Sequence, residues 1–220
     1  MRYSPSSPHP HSTIAPEERL EQLRLPVKYL AFRRILELLL IVVTIPVTLT
    51  ICAITAAVIA VGSPGPVLFR QNRKGRGGTV FRIVKFRSMY VGEGSGALPT
   101  MHADPRVTPF GHFIRRHRID ELPQLWNILK GDMNLIGPRP EPFPLAVRYE
   151  EIYPLYTLRY MIKPGLTGWA QVTQGHTTDP DEIRIKLEHD FHYIINLSPR
   201  LDLLIVLKTF GTLLTGFGGR

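Results

Sequence analysis

The pattern of this chain predicts an α+β fold, mainly helical and built against a membrane, and three features of its 220 residues carry that prediction. Residues 35–61 form a 27-residue apolar segment with Pro46 near its middle. Two β-prone stretches follow, residues 67–71 and 79–86, around Lys74-Gly75-Arg76-Gly77-Gly78, whose glycines supply the positive φ of a hairpin turn. Beyond them, Phe113, Ile114, Leu122, Leu125, Trp126 and Leu129 recur at helical spacing.

Residues 1–29 hold Pro5, Pro8, Pro10, Pro16, Pro26 and several serines without apolar periodicity, so they read as a flexible tail. Residues 30–220 are enough for one core but not two, which makes them a single domain. The formal charge of +9 and pI near 9.9 favour polyanionic partners. Cys52 is the only cysteine and lies inside the apolar segment, which excludes a disulfide framework or a thiolate metal site and fits a reducing compartment. The apolar run starts too late and is too long for a secretory signal, and is expected to stay in the mature protein.

From residue 38 to 61 there is no charge, and 24 residues suffice to cross about 30 Å of hydrocarbon. Two features argue against a straight span. Pro46 lacks an N–H and clashes with the preceding turn, so a break is expected there, with Thr44 or Thr48 satisfying freed carbonyls. Cations also flank both sides: Arg24, Lys28, Arg33 and Arg34 before, and Arg70, Arg73, Lys74, Arg76, Arg82, Lys85 and Arg87 after. Both flanks then read as cytoplasmic. A Pro-broken re-entrant membrane helix over residues 34–61 reconciles them.

After the small antiparallel β-hairpin, residues 92–99 are Gly-rich and read as a mobile loop. Pro123 is placed to start a helix, which puts Asp120 and Glu121 just before its N-terminus. Residues 137–144 alternate with Pro138, Pro140, Pro142 and Pro144, a stiff loop carrying Arg139 and Glu141. Residues 143–160 interleave four tyrosines with Arg148 and Arg159, a mixture that suits a membrane–water boundary. Residues 201–214 are apolar except for Asp202 and Lys208, as in an amphipathic interfacial helix.

Acidic pairs often cap helices or face solvent, so Asp120-Glu121 carries meaning only beside cations such as Arg115, which could hold phosphate or lipid head groups. Lys85 and Arg87 share one strand face and could grip a diphosphate together, or could simply end a strand. Arg139, fixed between prolines, is placed as an anion clamp. His189 and His192 lack the further ligands that zinc needs. No nucleic-acid-reading module, Walker or Rossmann pattern is present, so no nucleic-acid partner is expected.

In this order the segments resemble the bacterial sugar transferases, the monotopic polyprenyl-phosphate phosphoglycosyl transferases. The likeness runs from about Arg33 to Thr215 and rests on the Pro-interrupted helix, Lys85-Phe86-Arg87-Ser88-Met89, and Asp104-Pro105-Arg106-Val107-Thr108-Pro109-Phe110-Gly111. It continues through Arg115 with Ile119-Asp120-Glu121-Leu122-Pro123-Gln124-Leu125, Lys130-Gly131-Asp132-Met133, Gly137-Pro138-Arg139-Pro140 and Pro164-Gly165-Leu166-Thr167-Gly168-Trp169. Asp190, Tyr193 and Asp202-Leu203 close it. Two positions depart from the family's pattern: Ile45 stands where many members have Ser before the helix proline, and Arg118 where many have Ser two residues before the catalytic Asp.

The resemblance implies that Asp120 attacks the sugar-bearing phosphorus of a UDP-sugar and expels UMP, after which polyprenyl phosphate takes the phosphosugar. Asp120 and Glu121 would be the catalytic pair and the Mg²⁺ ligands, while Arg115, Arg139, Lys85 and Arg87 would bind substrate phosphates. A carboxylate beside such cations should stay ionised at neutral pH. The implied product primes exopolysaccharide or another surface glycan, at the cytoplasmic face of a bacterial inner membrane among membrane lipids. Interfacial Tyr and Leu surfaces would permit a homodimer. The competing reading is a catalytically silent membrane tether for polysaccharide assembly, which would release no UMP.

Overall fold

The computed structural model describes residues 24–92, 104–174 and 180–215. Most of the tail and of the Gly-rich stretch after Gly92 lie outside the described residues. The first helix, α1, spans Val27–Gly62 and so begins inside the last three residues of the span read as tail. Pro46 does not interrupt it. The expected break is therefore corrected to one helix that stays helical through the proline. The missing N–H frees the Val42 carbonyl, and the neighbouring hydroxyls bond elsewhere: Thr44 Oγ1 donates to the Leu40 carbonyl at 2.9 Å and Thr50 Oγ1 to that of Pro46 at 2.9 Å.

Packing holds the helix on both sides of Pro46. Arg33, Glu37, Ile41, Thr55 and Ile59 are buried, with Ile45, Thr48, Cys52 and Ala56 half-buried between them. These positions recur every three or four residues, so one continuous stripe lies against the rest of the chain. The other faces leave Leu36, Leu39, Val43, Val47, Ile54 and Val61 exposed. This is the one described helix long and apolar enough to cross a membrane.

Strands β1 (Leu68–Lys74) and β2 (Val80–Phe86) pair antiparallel, Leu68 opposite Phe86 and Lys74 opposite Val80. Gly77 and Gly78 take φ of 64° and 75° in the turn, as the glycine run predicts. Phe81 and Ile83 point inward, where with Ile41, Ile128 and Met133 they form one core cluster. Ile59, Phe86 and Ile114 form a second.

Helix α2 (Pro109–Arg116) is capped by Thr108, whose Oγ1 accepts from the Gly111 N–H at 2.8 Å. A one-turn 3₁₀ helix (Ile119–Glu121) and α3 (Gln124–Lys130) follow, with Pro123 at the N-cap. The sequence shows no sign of a second sheet, in which β3 (Asn134–Ile136) and β4 (Gly165–Thr167) lie parallel. Three-residue strands are too short to leave an alternating pattern. Here glycine matters for closeness: a Cβ on Gly165 would come within 2.0 Å of the Gly137 nitrogen, and one on Gly168 within 2.2 Å of the Gly137 carbonyl oxygen.

Helix α4 (Phe143–Ile152) and the 3₁₀ segment Tyr156–Met161 carry the tyrosines. Tyr156 is buried and the other three tyrosines are half-buried. Tyr149, Tyr153, Tyr156 and Tyr160 meet in tilted and edge-on contacts around Ala146 and Leu187, and the Arg159 guanidinium lies over the Tyr156 ring at 5.0 Å.

Helix α5 (Trp169–Thr173) packs on α6 (Pro180–Ile195) and α7 (Pro199–Thr215). Ile205 is fully buried while Leu203, Leu204, Leu207 and Phe210 are exposed, so α7 has the amphipathic character expected of residues 201–214. Asp202 ties α7 to the base of α1: Arg33 Nη1 donates to its Oδ2 at 3.1 Å and Tyr193 donates to its Oδ1 at 2.7 Å. Arg33 is thus a buried structural cation. Arg24, Lys28, Arg70, Arg76 and Arg82 are the flanking cations that remain exposed.

Candidate active site

Asp120 and Glu121 sit together on the 3₁₀ turn, both buried. Arg118, just ahead of them, takes a left-handed backbone (φ 54°, ψ 22°), the one described non-glycine residue at positive φ. Holding a side chain there costs about 1 kcal/mol, a strain typical of functional turns. It turns the chain out of α2 so that the carboxylates face back toward the hairpin, and brings Arg118 Nη1 to 3.7 Å from Glu121 Oε2.

Glu121 is the electrostatic hub. Its Oε1 accepts from Arg139 Nη2 at 2.6 Å and from Lys85 Nζ at 3.1 Å. Against burial, which would raise it, Arg139 and Lys85 hold the Glu121 carboxyl well below the usual range. Asp120 shows the opposite. Burial and the neighbouring Glu121 charge push it up to about 6, against the pull of Lys85, Arg115 and Arg139. The cations neutralise Glu121 first, and Asp120 keeps a residual preference for its proton while remaining mostly ionised at neutral pH.

Among the described residues no hydrogen bond reaches the Asp120 carboxyl. Burial, an ionised form and the absence of a fixed protein donor suit an oxygen that must attack something else.

The clamp Arg139 is held by a lattice the sequence does not reveal. Arg159 Nη2 donates to the Arg139 carbonyl at 2.8 Å and to Asp190 Oδ2 at 2.7 Å. Arg73 Nη1 donates to the Pro140 carbonyl at 2.7 Å, and Lys186 pairs with Glu141. Three consecutive residues of the stiff loop are thus each gripped by a cation. Gly137 adds a backbone anchor, its N–H donating to the Thr167 carbonyl at 2.9 Å, and the Gly165 N–H donates to that of Pro138 at 3.0 Å. The Pro164–Trp169 motif is therefore scaffolding for Arg139.

Asn127 performs a similar service for Lys85. Its Oδ1 accepts from the Val84 N–H at 3.1 Å and its Nδ2 donates to the Arg82 carbonyl at 2.8 Å, as a neighbouring strand would. This amide fixes α3, and with it the acidic turn, against β2. Arg115 reaches the acids from α2, and burial lowers its pKa while Asp120, Asp104 and Glu121 oppose the shift. Asp104 is buried and bonded to Arg106 at 2.9 and 2.6 Å.

The structure brings Lys85, Arg115 and Arg139 to the acidic pair, but it places Arg87 elsewhere. The Arg87 guanidinium donates to the Ser63 carbonyl at 2.7 Å, the Ser63 Oγ at 2.8 Å and the Pro64 carbonyl at 2.7 Å. It is a clasp between the end of α1 and β2, and the alternation that pairs it with Lys85 says nothing of this. The positioning roles of Asn127, Arg73, Arg159 and Asp190 escape sequence reading because ordinary polar residues on helices and strands carry no local mark of their partners. Lys186 and Asp190, one helical turn apart, are the nearest to a legible signal.

As a magnesium site the pair fits only in part. Asp120 offers hard carboxylate oxygens, whereas Glu121 is already paired with Arg139 and Lys85. Among the described residues no group of three or more His, Cys, Asp and Glu side chains could hold a metal ion.

A buried acidic pair ringed by cations, set beside an apolar helix, agrees with a match of residues 28–216 to the model of the bacterial sugar transferases. The chain belongs to that family. It is 50% identical over 193 residues to a UDP-N-acetylgalactosamine-undecaprenyl-phosphate N-acetylgalactosaminephosphotransferase of Aeromonas hydrophila, covering 87% of this chain and 46% of that protein. It is 44% identical over 165 residues to a UDP-glucose:undecaprenyl-phosphate glucose-1-phosphate transferase of Caulobacter vibrioides, covering 74% and 62% respectively. An exopolysaccharide production protein of Rhizobium leguminosarum is 39% identical over 167 residues, 73% of this chain and 84% of that protein. The chain spans less than half the length of several curated relatives it matches.

Proposed function

We propose that this sugar transferase moves a sugar 1-phosphate from a UDP-sugar to polyprenyl phosphate, with Asp120 as nucleophile. An Asp120 oxygen attacks the sugar-bearing phosphorus, the bond from that phosphorus to the bridging oxygen breaks, and its electron pair leaves with UMP. A polyprenyl phosphate oxygen then attacks the same phosphorus, the bond to Asp120 breaks, and the free carboxylate returns. No bond to the sugar's anomeric carbon is touched, so its configuration is retained.

The single observation that carries the reading is the divided acidic pair, in which Glu121 gathers Arg139 and Lys85 while Asp120 stays buried, ionisable and free of described donors. In this reading each residue has a part. Arg139, held from behind by Arg159, and Arg115 meet the donor phosphates, and Lys85 adds charge from β2. Magnesium would be met by Asp120 together with substrate phosphates and water, and would offset negative charge on the diphosphate. Glu121 tunes and positions its neighbours.

The named substrates of the relatives, undecaprenyl phosphate and UDP-sugars, support the acceptor and donor classes. Both ends of α1 are tied to one body, Arg33 to Asp202 and Ser63 to Arg87. That favours a helix lying in one leaflet with both its ends on the cytoplasmic side of the inner membrane, which keeps the lipid phosphate near Asp120. The product would feed exopolysaccharide or another surface glycan.

The test is UMP release by purified protein in lipid nanodiscs across several UDP-sugars, with the phosphosugar adduct trapped and located by mass spectrometry. An adduct on Asp120 and no UMP from Asp120→Asn are expected. Release by that variant at a substantial fraction of the wild-type rate removes Asp120 from the role, and none from wild type leaves a silent tether.

A further inference from the structure

Gln124 is buried at the head of α3, only 2% exposed, and among the described residues its Nε2 has no hydrogen-bond partner. Buried amides are almost always paired, and an orphan in a functional region points to something absent that completes it. The contrast with Asn127, three residues on, is direct: every polar atom of that amide is used.

The backbone locates the orphan. Leu122 (φ −55°, ψ −37°) and Pro123 (φ −62°, ψ −16°) have right-handed helical dihedrals, so the backbone winds in the same sense from the 3₁₀ turn into α3. Gln124 therefore follows Asp120 by four residues and Glu121 by three, on one face. Long helical side chains lean toward the preceding turn, here the turn that carries both carboxylates. Neither takes the amide: Glu121 is engaged by Arg139 and Lys85, and Asp120 accepts nothing described.

Resting on the function proposed above, we infer that Gln124 Nε2 donates to a nonbridging oxygen of the phosphoryl group as it passes onto and off Asp120. The ligand class is a pyrophosphate or acyl phosphate. A neutral donor suits this position, since Lys85, Arg115, Arg118 and Arg139 already crowd the site with charge, and an amide adds direction without further repulsion. Were its partner the resting carboxylate, the bond would already be made.

The experiment compares wild type with Gln124→Met, which keeps length and apolar bulk but has no donor. Single-turnover UMP release should slow about 10²-fold, the effect of deleting one transition-state donor, while the KM for UDP-sugar changes by less than about threefold. The pH midpoint of the rate should stay in place. A folded variant within about threefold of the wild-type rate overturns the inference, as does an upward move of the midpoint, which would make the amide a partner of Asp120 instead. If Gln124→Met fails to fold, Gln124→Ala is judged by the same criteria. If neither folds, the amide is structural and the inference is wrong. A wild type that releases no UMP sinks the proposed function itself and this inference with it.

Discussion

Replacing Asp120 by Asn should make the protein more stable while ending its activity. Burial and the Glu121 charge raise the Asp120 pKa from 3.8 to about 6, so the folded state pays for an ionised Asp120 whenever the pH exceeds that value. Two units correspond to about 3 kcal/mol. The sign follows from proton binding: the native state holds the proton more tightly than the unfolded one. The penalty is therefore absent below about pH 4, grows to about pH 6 and is constant above it. An asparagine of the same shape carries no such charge and relieves Glu121 as well.

At pH 7.5 the variant should melt about 6–12 °C above wild type, since 1 kcal/mol moves a domain of this size by about 2–4 °C. At pH 4 the two should converge. Melting curves in nanodiscs at one scan rate, taken from pH 4 to 8, read this directly. A variant less stable than wild type at pH 7.5, or a gain that does not depend on pH, refutes the electrostatic account of the pair. The reasoning treats the site as one where function is bought with stability.

Three further outcomes follow from the same geometry. Wild-type activity should rise with pH through about 6 and then level off, and Glu121→Gln, by removing the neighbouring charge, should move that midpoint lower; an unmoved midpoint would show that Glu121 does not act on Asp120. Arg87→Met should lose about 2–4 kcal/mol of stability, because the Ser63 and Pro64 acceptors lose their donor, with the KM for UDP-sugar unchanged; a raised KM at unaltered melting temperature would return Arg87 to the phosphate site. Gly165→Ala should not yield folded protein, since the new Cβ would meet the Gly137 nitrogen at 2.0 Å, and a soluble, active variant on size exclusion would contradict the close strand contact.

Local sequence determined much of this molecule. The apolar run from residue 38 to 61, the glycine turn of the hairpin and the cap-and-proline signals around residues 108 and 123 each carry their structure in a few adjacent residues. Hence α1, β1–β2, α2 and α3 lie close to where pattern places them. The acidic pair and its partners Lys85, Arg115 and Arg139 were named through the family resemblance, and of these only Arg139, between two prolines, stands out by its neighbours.

What tertiary structure alone decided is how charge is shared. Whether Arg87 meets phosphate or the Ser63 carbonyl, how the tyrosines pack on Ala146 and Leu187, and which carboxylate the cations neutralise depend on residues far apart in sequence. Helix continuity at Pro46 was likewise settled by packing on both sides of it. Periodicity reports which face of an element is apolar. It holds no record of the partner brought to that face, and Coulombic and desolvation energies are fixed by that partner's distance and burial.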